Sequence, residues 1–247
     1  MVLFYTLASV TLVSLISLWG ILFLILNRQV FEQVIFVSLA LSSGVLLATS
    51  FLDLYPEALR LLPDQAPYLI LAGIGLFFLI EKIIHWHHCA EGEECQEKPL
   101  AYLSLVGDAI HNFVDGVTIA AAFMVSLPLG FSTTLAVVAH EIPHELSDFS
   151  LLIYAGFSTK KALFYNLLSA LTAILGAALT LFISSRYLNL TNYLLPLTAG
   201  NFIYIAASDL FPELRKKSRL GETLVQAGLI FLGIVIIVLL KSWVKES

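Results

Sequence analysis

Charged residues are scarce in this chain. Lys, Arg, Asp and Glu together make up 13% of its 247 residues, whereas hydrophobic residues make up 59%. The mean hydropathy of +0.91 lies far from that of soluble domains. Apolar runs of roughly 17 to 25 residues, long enough to cross a hydrocarbon core of about 30 Å, recur along the chain and leave no room for a separate soluble domain. The composition therefore predicts an all-α, multi-pass membrane protein. We expect its partner to be the lipid bilayer and expect no binding of nucleic acid.

Cysteine is rare as well. The only two cysteines lie in one polar loop, about residues 85–99, so a disulfide framework is excluded. The loop combines soft and borderline metal ligands, which suits capture of a metal ion; a solvated loop with incidental histidines is the alternative. Its candidate ligands are His85, His87, His88, Cys89 and Cys95. The N-terminus lacks the basic region and cleavage site of a signal peptide, so we expect the first apolar run to be a membrane span.

Breaks at proline, glycine and charge clusters divide the chain into eight predicted transmembrane helices. They cover about residues 3–26, 32–54, 67–84, 100–126, 131–155, 161–184, 192–211 and 223–243. Nine of the thirteen lysines and arginines lie in or beside the loops after odd-numbered helices. The positive-inside rule then places these loops in the cytoplasm and both termini outside, in what we expect to be the plasma (inner) membrane.

A short motif occurs twice along the chain. DLYPEA at residues 53–58 ends the second predicted helix, and DLFPEL at residues 209–214 ends the seventh. In the predicted topology these helices run in opposite directions, which indicates an inverted repeat of helices 1–3 and 6–8 around helices 4 and 5. Such a 3+2+3 arrangement is typical of transporters. Asp53 and Asp209 then either line the entry and exit paths or cap the turns that follow them.

Helices 4 and 5 carry ionisable residues inside apolar segments, and neither helix contains lysine or arginine. On helix 4 these residues are spaced i, i+3, i+4 and i+7 and share one face, and on helix 5 they form two adjacent rows with a spacing of four. The helix 4 residues are Asp108, His111, Asn112 and Asp115. The helix 5 residues are His140, His144 and Asp148 in one row and Glu141 and Glu145 in the other. The two stripes predict a buried polar site.

Buried acids of this kind require a compensating charge. One ionisable residue at the bilayer centre costs about 2.5 to 3.5 kcal/mol on insertion scales, so four or more represent on the order of 10 kcal/mol. A bound cation would compensate for them. Imidazole together with carboxylate suits zinc and other first-row divalent ions, whereas an all-oxygen set would suit magnesium or calcium. The histidines therefore favour zinc.

The loop between helices 4 and 5 is short, about Leu127 to Gly130, so the two helices should form an antiparallel hairpin centred near Leu129. Counted along the chain, Asp115 and His144 lie almost equally far from that centre. At about 1.5 Å per residue, both reach a level roughly 21 to 22 Å from the turn, near the middle of the membrane. The count predicts that these two residues face each other.

The two segments resemble the signature motifs of the ZIP (Zrt/Irt-like) metal transporter family. Residues 111–116 match HNxxDG, and residues 140–148 match the HExPHExGD motif of one subgroup, with Ser147 in place of glycine. The resemblance implies transport of zinc, and also of iron, manganese or cadmium, into the cytoplasm. It further implies a binuclear centre, with zinc as substrate. The subsites would be His111, Asp115, His140 and His144 for one ion, and Asn112, Asp115, Glu141 and His144 for the other.

Some members of the family add a glutamate from helix 6, where this chain offers Asn166 and Ser169, so the second subsite is expected to be weaker. Further candidates for the site or the pathway are Asp108, Glu145, Asp148, Asn166, Asp53 and Asp209. We interpret residues 1–247 as a single transmembrane transporter domain, and a homodimer is compatible with this interpretation.

The alternative function is that of an intramembrane site-2-type metalloprotease. Residues 140–144 satisfy HExxH, in which two histidines bind zinc and Glu141 would act as general base, with Asp115 as a third ligand. Pro143 argues against this alternative, because its ring deprives the carbonyl of Ala139 of its helical donor and should kink helix 5. A protease would also leave the additional carboxylates and the repeated motif without a role.

Overall fold

A computed structural model describes residues 1–86, 97–187, 189–216 and 219–246. Within these ranges the chain is almost entirely helical and contains no β-strand, which confirms the all-α prediction. The α-helices are α1 Val2–Ile16, α2 Leu22–Ile25, α3 Arg28–Ala48, α4 Tyr55–Leu61, α5 Ala66–Trp86, α6 Glu97–Val125, α7 Leu127–Tyr154, α8 Thr159–Ala170, α9 Thr172–Ser184, α10 Leu190–Ile205, α11 Phe211–Arg215 and α12 Leu220–Glu246. A 3₁₀ segment, Ser17–Ile21, joins α1 to α2.

Six helical segments of the described residues are long and apolar enough to cross a membrane. They are Val2–Ile25, Arg28–Leu61, Ala66–Ile83, Thr159–Ser184, Leu190–Arg215 and Leu220–Ser242. Each covers one of the predicted helices 1–3 and 6–8 to within one residue at its end. Helices α6 and α7, with 29 and 28 residues, also have the length to span a bilayer, but their polar stripes keep them outside this apolar set.

Both copies of the repeated motif begin within a π-helical segment. Thr49–Leu54 contains Asp53 and leads into α4, and Ala206–Leu210 contains Asp209 and leads into α11. A proline lies in the first turn of each following helix, where its missing N–H is tolerated. No described side chain caps the start of α4 or α11, so the capping role considered for Asp53 and Asp209 is not seen.

Glycines allow two pairs of helices to approach each other closely. Gly44 of α3 and Gly233 of α12 lie against each other's backbone, and a Cβ on Gly44 would lie 2.0 Å from the carbonyl oxygen of Ile230. Gly73 of α5 and Gly200 of α10 form the corresponding contact, since a Cβ on Gly73 would lie 3.2 Å from the Gly200 Cα. Small residues at such crossings let backbones meet, as is common between helices in membranes.

The hairpin of α6 and α7 has a tighter turn than predicted. Helix α6 ends at Val125 and α7 begins at Leu127, so Ser126 alone separates them. Ser126 is the N-cap of α7, and its hydroxyl accepts a hydrogen bond from the backbone N–H of Leu129 at 3.3 Å. Pro128 then occupies the first turn of the helix. The segment predicted as a loop is therefore the capped start of α7, and the centre of the hairpin lies at Ser126 and not near Leu129.

Candidate metal centre

The two polar stripes face each other in the middle of the helix bundle. The side chains of Asp115, His140, Glu141, Glu145 and Asn112 are fully buried. Helix α6 is held here by close contact with α9. The backbones approach so closely that a Cβ on Gly116 would lie 1.9 Å from the carbonyl oxygen of Ala173. The helical spacing read from the sequence therefore does place the polar residues of α6 and α7 in one interior cluster.

The first group of potential ligands combines nitrogen and oxygen atoms. His111, Asp115, His140 and Glu141 each offer one ligand atom, and these atoms all lie within 4.8 Å of one another. The His140 Nε2 lies 3.1 Å from Asp115 Oδ2, and the His111 Nε2 lies 3.1 Å from Glu141 Oε1. The Nε2 atoms of the two histidines are 3.2 Å apart. Two imidazoles and two carboxylates at this separation are a donor set that suits zinc.

The backbone orients His140 for such a role. Its Nδ1 lies 2.9 Å from the carbonyl oxygen of Ala136. Because a carbonyl oxygen can only accept, Nδ1 carries the proton in this hydrogen bond and Nε2 presents its lone pair to the cluster. A ligating histidine is commonly held through its other nitrogen in this way.

A second group consists of oxygen donors alone. Carboxylate oxygens of Asp108, Glu141 and Glu145 also lie within 4.8 Å of one another, so Glu141 belongs to both groups. Neighbouring helices hold this group: the Ser169 hydroxyl donates to Asp108 Oδ2, and the Asn166 Nδ2 donates to Glu145 Oε2 at 2.5 Å. A third group, Asp108, His144 and Asp148, lies at the more open end of the cluster.

Several oxygen atoms of the cluster have no hydrogen-bond partner within the part of the chain that the structure describes. They are Oδ1 of Asn112, Asp115 and Asn166, and Oε1 of Glu145. In that same part of the chain, the ion pairs of the cluster carboxylates all involve histidines, with no lysine or arginine. Buried polar atoms normally have hydrogen-bond partners, so these unpaired oxygens indicate a site that can bind a cation.

The cluster opens towards one end of the molecule. A cavity of about 450 Å³ reaches His111 and His144, and its wall continues along Tyr204, Asp209 and Glu81. On the other side, towards the Ser126 turn, the helices are packed with buried apolar side chains. These include Ile119, Phe123, Ala136 and Val137. In this conformation an ion can reach the cluster from the Asp209 end, whereas an apolar layer separates it from the hairpin end.

The register between the stripes differs from the one predicted. Asp115 contacts His140 and not His144, and His144 instead stacks on His111 with ring centroids 4.8 Å apart. The prediction that Asp115 and His144 lie at one level was wrong by about one helical turn. The depth was counted from Leu129, whereas the turn lies nearer to Asp115, at Ser126. The structure nevertheless brings residues of both stripes into one cluster.

The remaining predicted residues lie in different places. Glu145 and Asn166 are paired inside the cluster, and Asp148 accepts a hydrogen bond from the Ser104 hydroxyl at 2.6 Å. Asp209 lines the large cavity. Asp53 lies elsewhere and pairs with Lys241. Of the loop residues, His87, His88, Cys89 and Cys95 lie outside the described residues, as does the side chain of His85, so metal capture by this loop stays a prediction.

Sequence reasoning missed Ser104, Glu81, Tyr204 and Lys241. Ser104 could have been found, since it lies four residues before Asp108 and extends the same helical stripe by one turn. The Tyr204 hydroxyl donates to Glu81 Oε2 at 2.5 Å, and this contact joins α10 to α5. No local pattern identifies such a pair, because it depends on which helices are neighbours.

Comparison with known proteins identifies the family of this chain. The family model described as ZIP zinc transporter matches residues 1–97 and 87–241. The chain belongs to the ZIP zinc transporter family. The resemblance inferred from the two motifs is therefore confirmed at the level of the family, and the assignment to the HExPHE subgroup stays a prediction. Since the family consists of transporters, membership gives no support to the intramembrane protease.

Curated relatives include Zinc transporter ZIP10 of Homo sapiens, 40% identical over 141 residues, which cover 52% of this chain and 17% of that protein. Metal cation symporter ZIP14 of Xenopus tropicalis is 29% identical over 292 residues, covering 88% of this chain and 63% of that protein. Zinc transporter ZIP13 of Danio rerio is 41% identical over 146 residues, covering 58% and 42%. The chain thus spans less than two thirds of the length of each relative. Together with its apolar helices, family membership makes it an integral multi-pass membrane protein.

Proposed function

We propose that this ZIP-family chain transports zinc across the membrane into the cytoplasm, and that it also accepts iron, manganese or cadmium as substrates. The observation that carries the proposal is the buried cluster between α6 and α7. Its carboxylates and imidazoles converge within 4.8 Å, include unpaired oxygen atoms, and open onto a cavity of about 450 Å³. A structural cluster would be closed and satisfied, whereas a transport site must bind an ion and also release it.

We further propose that the cluster holds two ions side by side. His111, Asp115, His140 and Glu141 form the nitrogen-containing subsite, and Asp108, Glu141 and Glu145 form the oxygen subsite. Glu141 would bridge the two ions. This oxygen subsite differs from the second subsite that the resemblance implies, because it includes Asp108 and Glu145. Asn112 donates its Nδ2 to Asp108 Oδ1 at 2.8 Å, which leaves the Asn112 Oδ1 available as a further ligand. Glu145 and Asp108 then supply additional oxygen ligands. They take the place of the glutamate that the sixth predicted helix lacks.

The topology belongs to the same proposal. With α6 and α7 counted as spans beside the six apolar ones, the chain has eight transmembrane helices in a 3+2+3 arrangement, with both termini outside. The whole of residues 1–247 then forms one transporter domain in the plasma membrane, surrounded by lipid and able to assemble as a homodimer. In this orientation the large cavity faces the cytoplasm, and the conformation is the one from which an ion leaves. Alternating access would require a second conformation that is open at the hairpin end.

The experiment is zinc uptake into proteoliposomes loaded with a fluorescent chelator. Asp115→Asn keeps the shape of the side chain and removes its charge, and His144→Ala removes a ligand that lines the cavity. Each should abolish saturable uptake, while Asp64→Asn, at an exposed carboxylate, should leave it unchanged. Full uptake by both site variants would refute the placement of the site. Zinc binding without uptake, accompanied by cleavage of a membrane peptide that Glu141→Gln prevents, would instead identify a protease.

A further inference from the structure

The two glycine crossings show which positions correspond in the two halves of the chain. Gly44 and Gly200 are equivalent, because the interval from Gly44 to Asp53 equals the interval from Gly200 to Asp209. Gly44 crosses Gly233 and Gly200 crosses Gly73, so Gly233 and Gly73 are equivalent as well. Carried forward along α5 and α12 from these glycines, the position equivalent to Glu81 is that of Lys241. The helix that packs beside the first copy of the motif therefore carries a lysine, whereas the helix beside the second copy carries a glutamate at the equivalent position.

This exchange of charge coincides with a difference between the two ends of the molecule. Glu81 and Asp209 are two acids on the wall of one open cavity of about 450 Å³. Lys241 and Asp53 are an ion pair, with Nζ 2.8 Å from Oδ1, at a smaller cavity of about 210 Å³ beside the Ser126 turn. Among the described residues Asp209 forms no ion pair, and its Oδ1 accepts a hydrogen bond from the Ser208 hydroxyl at 2.5 Å.

Lys241 makes a second contact that depends on a proline. Pro56 has no N–H with which to donate to the carbonyl of Leu52, four residues earlier. The ammonium group of Lys241 donates to this carbonyl as well as to Asp53. One side chain of α12 thereby occupies both the carboxylate and the carbonyl that the repeated motif exposes at this end.

The position that the ammonium group occupies is one that suits a metal cation. Asp53 is 8% exposed, and its Oδ2 is buried without a hydrogen-bond partner among the described residues. Glu57, which pairs with the exposed Arg60, lines the same small cavity, as do Ser126 and Ser132. Oxygen donors of this kind ligate divalent cations, so Lys241 stands where an entering ion would find its first ligands.

We propose that Lys241 is a gating residue whose ammonium group occupies a cation subsite at Asp53 and keeps the hairpin end of the pathway closed. The proposal rests on the proposed transport function. A divalent cation that enters from this end must displace Lys241 from Asp53 and from the Leu52 carbonyl. The opposite end has Glu81 in place of the lysine, so none of the described lysines and arginines pairs with Asp209 there, and the cavity is open.

The test measures access to the small cavity and does not depend on transport. In full-length protein carrying Cys89→Ser and Cys95→Ser, Ser132→Cys places a single thiol in the wall of this cavity. Its rate of modification by a small hydrophilic thiol reagent is measured in detergent micelles, where both ends face solution. The rate should rise roughly fivefold or more in Lys241→Gln, because loss of the pair shifts the population towards an open end.

Three controls make the result specific. Lys241→Arg retains the cation and Lys161→Gln removes an exposed lysine, so both should keep the slow rate. A thiol introduced by Ser104→Cys, in the large cavity, should not be modified faster in Lys241→Gln. Equal rates with and without Lys241 would overturn the proposal, and so would a rise at both thiols, which would report general loosening. If the rates respond as expected but the native chain takes up no zinc, the proposed function fails while the closure by Lys241 stands.

Discussion

Gly116 lies one residue after Asp115, at the point where α6 and α9 are closest. A Cβ at this position would lie 1.9 Å from the carbonyl oxygen of Ala173, where ordinary contact begins near 3.4 Å. Gly176 of α9 makes the reciprocal approach, with a Cβ 2.0 Å from the carbonyl oxygen of Phe113. Both obstacles are backbone atoms and cannot rotate away. Gly116→Ala must therefore separate the two helices by about 1.5 Å, an overpacking that typically costs 1–3 kcal/mol.

This cost can be converted into measurable effects. For a chain of this size 1 kcal/mol corresponds to about 2–4 °C in Tm, so Gly116→Ala should lower the Tm by roughly 2–12 °C. The same displacement moves the Asp115 carboxylate, which lies 3.1 Å from His140. Since misplacement of a functional group by about 1 Å can reduce activity by on the order of 10²-fold, zinc uptake should fall at least about tenfold.

The assay compares thermal unfolding in detergent with uptake in proteoliposomes. The matched control is Gly228→Ala in α12, where a Cβ would meet nothing within 4 Å. There alanine is favoured over glycine by roughly 0.5–1 kcal/mol, so the Tm should be unchanged or higher and uptake should be normal. Equal Tm values and equal uptake for the two variants would refute the claim that the α6 to α9 contact positions the site.

Two further predictions concern the carboxylates. The combined variant Asp108→Asn and Glu145→Gln should lower the zinc bound per chain from two ions towards one, measured by mass spectrometry of the metal, while Asp64→Asn should leave it unchanged. Unaltered stoichiometry would contradict an oxygen subsite. Glu81→Lys places a lysine in the cavity that Asp209 lines, as Lys241 stands near Asp53, and should reduce zinc uptake about tenfold or more by closing the Asp209 end. Normal uptake by this variant would show that the charge at this position does not control access.

The residues of the site could be predicted because a helix repeats its faces. Spacings of three and four brought Asp108, His111 and Asp115 onto one side of α6, and a polar stripe within an apolar helix has few places to go except the interior. The same reasoning predicted that the carbonyl of Ala139 would lose its helical donor. The structure supplies a partner for it, since the Ser42 hydroxyl donates to that carbonyl at 2.5 Å.

The register between helices and the contacts between distant segments could not be predicted in this way. The turn of the hairpin depended on whether Pro128 ended a loop or began a helix, and proline is compatible with both. The Lys241 to Asp53 pair joins residues from opposite ends of the chain, and only the packing of α12 against α3 brings them together. A lysine near the end of an apolar helix is otherwise indistinguishable from one that extends to the membrane surface.

Two prolines of this chain leave carbonyl groups that other helices contact. Pro143 leaves the Ala139 carbonyl to Ser42 of α3, and Pro56 leaves the Leu52 carbonyl to Lys241 of α12. A helical hydrogen bond within one segment persists when that segment moves as a unit, whereas a bond from another helix is lost when the two separate. Each freed carbonyl thus has its partner only while those helices stay together. In the second conformation that the proposed alternating access requires, the carbonyl would become available to water or to a passing cation. The helix breaks therefore lie where the proposed transport cycle needs interactions that depend on conformation.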